Sequence, residues 1–86
     1  MKHPVLSHQQ TGQLCSRLEY FLSSGISVPE SIFLLLEDEK DPAMAALLKD
    51  MADTAASGYS AYEAFDKTGA FAPYVCKMIK VGEQTG

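Results

Sequence analysis

The sequence predicts an all-α protein, a compact antiparallel bundle of five helices. Apolar residues recur at helical spacing in five separate stretches. Serine, aspartate and proline mark the start of these stretches, and glycine marks several of their ends. No stretch alternates with a period of two long enough to form a strand. The joints are short, which favours antiparallel neighbours packed around one core.

Ser7, with Gln10 three residues on, makes a capping box in which hydroxyl and amide satisfy each other's backbone N–H donors. The first helix should run to about Ser24, burying Leu14, Leu18, Phe21 and Leu22 with Cys15 beside them. Gly25 supplies the left-handed residue that closes it. Gly12 lies inside this helix and weakens it by roughly 1 kcal/mol relative to Ala. Residues 1–12 are therefore expected to form an N-terminal segment with a partly frayed helix start, and 13–86 the domain proper.

Ser27 and Glu30 form a second box, with Pro29 in the first turn, where a missing N–H is harmless. Val28, Ile32, Leu35 and Leu36 form the buried stripe of this second helix, widened by Phe33, and the helix should end near Glu37. Asp41-Pro42 is an N-cap followed by proline at the first helical position. Met44, Leu47, Leu48, Met51, Ala52 and Ala55 trace the face of the third helix to Ser57, and Gly58 stops it. Ser60 and Glu63 form a third box for a short helix carrying Tyr62 and Phe65, closed by Gly69. Ala72-Pro73 opens the fifth helix, with Tyr74, Val75, Met78 and Ile79. Val81 extends its apolar side and Gly82 should interrupt it. The chain stops where a further helix could begin, so a sixth is expected to be missing from this fragment.

At 86 residues the chain is one domain with a thin core. Its 47% apolar and 21% charged content argues against disorder. A net charge of -4, with scattered lysines and arginine, gives no basic patch for nucleic acid. The longest apolar run, Ile32 to Leu36, is far short of the ~20 residues needed to span a bilayer. No apolar stretch follows the N-terminus as a secretory signal requires, which makes a cytoplasmic location the default. Cys15 and Cys76 are too few for a disulfide framework and are expected as reduced thiols; a bridge between them would require the first and last helices to touch.

Catalytic and cofactor motifs are missing from the sequence. His8 and Cys15 are seven residues apart, about 10 Å along one helix, too far for a nucleophile and its base. There is no phosphate-binding Gly-x-x-x-x-Gly-Lys loop. The acids Glu37, Asp38, Glu39 and Asp41 lack the loop pattern of a calcium site and are expected to be solvated. No enzymatic activity, cofactor or metal is expected.

Several elements in order carry a resemblance. They are the run Leu18 to Ile32 with its Ser24-Gly25 turn and Pro29, then Ser57-Gly58-Tyr59-Ser60 before a short helix. Gly69-Ala70-Phe71-Ala72-Pro73 and Val81-Gly82-Glu83-Gln84-Thr85-Gly86 follow. Residues from about Gln13 onward resemble the repeat domain of the inner-membrane platform proteins of type II secretion and type IV pilus assembly. The acidic stretch Glu37 to Asp41 departs from the family pattern, as does the missing sixth helix.

The resemblance implies a non-catalytic scaffold domain on the cytoplasmic face of the inner membrane, within a membrane-anchored parent carrying two such domains. Its implied partners are the assembly ATPase and other inner-membrane components, with self-association into a homodimer. The platform would couple ATP hydrolysis to extrusion of pilin-like subunits.

The candidate structural and interaction residues are Gly25, Pro29, Gly58, Tyr59, Ser60, Phe71, Pro73, Gly82 and Glu83. Among the tyrosines Tyr20, Tyr59, Tyr62 and Tyr74, Tyr59 is the strongest interface candidate. Met44, Met51 and Met78 read as core filler. The alternative to a platform domain is a free-standing helical adaptor or regulator with no membrane anchor.

Overall fold

Four polar side chains set where four of the helices begin. In a computed structural model describing residues 3–85, with side chains described through Val81, the elements are α1 (His8–Ser23), α2 (Val28–Asp38), α3 (Pro42–Ala56), α4 (Ala61–Asp66) and α5 (Pro73–Thr85). The hydroxyls of Ser7 and Ser60 accept from the N–H groups of Gln10 and Glu63, and both reciprocal side-chain bonds form. Asp41 accepts from the Met44 N–H at 3.0 Å. At α2 only half of the expected box is made: the Ser27 hydroxyl accepts from the Glu30 N–H, while the Glu30 carboxylate stays exposed.

The helix ends follow from glycine. Gly25 and Gly58 have φ of 88° and 96°, the left-handed region that a side chain disfavours. After α1, the Gly25 N–H donates to the Leu22 carbonyl and the Ile26 N–H to the Phe21 carbonyl, closing the helix as a Schellman turn. Gly82 behaves differently from expectation, because α5 continues through it to Thr85. A glycine inside a helix weakens it without ending it unless the backbone turns left-handed.

The helices enclose one core. Ile32, Leu35, Leu47, Leu48, Met51 and Phe65 are almost completely buried, with Leu14 and Leu18 joining from α1 and Val75 and Cys76 from α5. The α2–α3 pair packs most extensively, and α1 packs chiefly on α2. Phe65 and Phe71 meet in a tilted ring pair at 4.8 Å, joining α4 to the segment before α5. The radius of gyration is 11.6 Å, against about 12 Å expected for a folded chain of this length.

Two residues assigned to buried stripes lie outside. Phe33 is 53% exposed, because one residue past Ile32 rotates it about 100° around α2. Leu22 is also exposed, at the far end of α1.

The buried polar groups are bonded. The Ser31 hydroxyl donates to the Ser27 carbonyl. Thr68 donates to the Phe65 carbonyl and accepts from the Ala70 N–H, which orders the turn leading into α5. Ahead of α1, the His3 N–H donates to the Thr68 carbonyl at 2.7 Å and the Leu6 N–H to the Ala70 carbonyl at 2.8 Å.

The capped start of α4 yields a direct test. Ser60→Ala should lower stability by about 1 kcal/mol, read as a fall in Tm of about 4–8 °C for a domain this small. An unchanged Tm would show that the box contributes nothing.

Candidate functional site

The fifth helix carries apolar residues on more of its circumference than one core can cover. Val75, Cys76 and Ile79 turn inward, while Tyr74, Met78 and Val81 are exposed, Met78 at 68%. Met51 is core filler as expected and Met44 packs partly against the core, but Met78 is not. It lines a groove of about 620 Å³ between α1 and α5, with Cys15, Leu18, Leu22, Val75 and Ile79 among the walls. At one end the Tyr74 hydroxyl lies 3.3 Å from His8 Nδ1, and the two rings stack at 6.4 Å.

A second, more polar groove of about 790 Å³ runs along the other flank of α1. Gln10, Gln13, Arg17, Glu39 and Asp41 line it. Two acids of the α2–α3 joint, Glu39 and Asp41, bond locally at the start of α3. Asp41 caps α3, Glu39 accepts from the Asp41 N–H at 3.2 Å, and Asp38 lies 3.8 Å from Arg17. Among the described residues no group of three or more His, Cys, Asp or Glu converges as metal ligands would.

The residues singled out in sequence do not converge on one site. Gly25 and Gly58 end helices, Pro29 and Pro73 stand in the first turns of α2 and α5, and Ser60 caps α4. Phe71 is buried against Phe65. Tyr59 is 48% exposed, with Lys67 Nζ 4.8 Å above its ring, a cation–π contact that braces the tyrosine in an outward position. Gly82 and Glu83 lie within α5, and their side-chain surroundings fall outside the described residues.

The α1–α5 groove escaped sequence reasoning. The signal available was the width of the apolar arc on α5, where Tyr74 and Met78 flank Val75 and Ile79 and extend beyond what the core covers.

Residues 14–86 match the family described as protein F of the type II secretion system. The chain belongs to that family. Comparison with curated proteins and with solved structures gives no match. The family places the chain among domains of secretion-platform proteins, which belong to the inner membrane. Among the described residues no helix is long and apolar enough to cross a membrane.

Both cysteines of this F-family domain are free. Burial pushes the Cys15 thiol above its ordinary range. Burial does the same to Cys76, helped by the charge of Asp66 and opposed by a backbone hydrogen bond. A raised thiol value means that folding favours the neutral form. This contribution is intact below the unfolded thiol's value and is lost as pH rises through the folded one. Alkylation of both cysteines by iodoacetamide should be slower than that of a free thiol at pH 8. It should still be accelerating at a pH where the free thiol has levelled off. Coincident pH–rate profiles would contradict the burial of the thiols.

Proposed function

We propose that this domain is a non-catalytic contact module of the secretion platform, lying on the cytoplasmic face of the inner membrane within a membrane-anchored parent. The family match over residues 14–86 carries this reading. The unit responsible is taken as 13–86. Its partners are proposed to be the assembly ATPase and neighbouring inner-membrane components, with self-association as a further role, in secretion or in pilus assembly.

The physical case is that of a scaffold. Capped helices and fully bonded buried polar groups hold a fixed shape, and Tyr59 stands outward at a turn, where an aromatic ring offers area with little rotamer entropy to lose. Tyr59 and Glu83 are the proposed contact residues; Gly25, Pro29, Gly58, Ser60, Phe71 and Pro73 serve the shape that presents them, and Gly82 accompanies Glu83.

Titrating the chain with the purified assembly ATPase of the same cell should give saturable binding. Tyr59→Ala should weaken it by roughly tenfold, the effect of a modest interface anchor, with Tm unchanged. Glu83→Gln should likewise weaken binding while leaving Tm unchanged. A Glu83→Gln variant that loses stability instead would assign that carboxylate to the fold. No detectable binding by the wild-type chain would remove the ATPase as its partner.

A further inference from the structure

The attachment of α1 to the rest of the domain is uneven. Along its length it packs chiefly on α2, and the Gly25 turn joins the two. Toward α5 it faces the groove lined by Cys15, Leu18 and Met78. The start of α1 is tied to the far side of the domain by the exposed His8–Tyr74 contact and by the short segment before it, residues 3–6, which lies outside the family-matched region. The His3 and Leu6 N–H groups donate to the Thr68 and Ala70 carbonyls of the α4–α5 connection. The His3 ring, 10% exposed, reaches across to α3, where its Nε2 stands 3.1 Å from Asp50 Oδ2. Leu6 packs its side chain against the core.

We propose that residues 3–6 are a clasp that fixes α1 against α5 and so controls access to the groove between them. With the clasp docked, α1 is held at both ends, by the segment before it and by the Gly25 turn after it. With the clasp released, α1 stays on α2 but its first turns separate from Tyr74 and α5. The α1–α5 interval then opens, uncovering Cys15, while the α2–α3–α4 core stays packed. The inference concerns the fold of the chain itself and holds whichever partner the domain meets.

The two native cysteines report on this. Cys15 lines the groove, and Cys76 faces the core from α5. Alkylation at fixed pH, with each site followed by mass spectrometry, is compared for wild type, His3→Ala and a chain lacking residues 1–6. His3→Ala should speed modification of Cys15 roughly fivefold, the change in an opening equilibrium from losing one hydrogen bond. The truncated chain should speed it further, and Cys76 should be unaffected in His3→Ala. Unchanged Cys15 rates in His3→Ala would overturn the proposal. Equal acceleration of both cysteines would also overturn it, because the segment would then be a brace for the whole fold rather than a clasp on α1.

Discussion

Phe65 is the contact on which the arrangement depends. It sits on a helix of six residues, far below the length of about 12–15 residues at which an isolated helix becomes even marginally stable in water. The Ser60–Glu63 box at its start and the burial of Phe65, 1% exposed, together with Ala61 and Ala64, hold that helix. Because α4 lies between α3 and α5, fixing its ring also fixes the turn through Thr68 and Ala70. The partner ring Phe71 is carried on that same turn. Both the start of α5 and the attachment point of the N-terminal segment follow from where Phe65 is packed.

Much of this was legible in sequence because it is local. A serine with a glutamate or glutamine three residues on, a proline in a first turn and a glycine past a last turn act through bonds spanning a few residues, so Ser7, Asp41, Ser60, Gly25 and Gly58 took their expected places. The core face of α3 was equally plain from its spacing. Local patterns misled where exposure depends on which neighbours exist. Phe33, Leu22 and Met78 look like core by composition and are exposed because no described helix covers that side of α1, α2 or α5. Gly82 was read as a break by identity alone, whereas a helix ends at glycine only when the backbone turns left-handed.

Contacts between distant parts of the chain left no sequence signal. His3 meets Asp50 across 47 residues, and Tyr74 meets His8 across 66. The acidic run at 37–41 is a related case. Its charges suggested acids left to solvent, and Glu37, Asp38 and Asp41 are exposed, but the sequence did not show that Glu39 also bonds the Asp41 N–H or that Asp38 lies near Arg17. The family, by contrast, could be read from ordered motifs, and the residues of this chain that carried the resemblance are mostly the turns and helix starts that build its fold.

The central claim is that this helical domain meets other components of the secretion platform through its exposed aromatic and apolar positions. Photo-crosslinking inside the native cell tests it most directly, with a benzophenone amino acid placed at Tyr59 in one experiment and at Met78 in another. Covalent adducts with assembly components, appearing only when the secretion machinery is expressed, are the predicted result. Adducts that persist unchanged in cells lacking the machinery would contradict the claim and leave the domain a helical adaptor of another system.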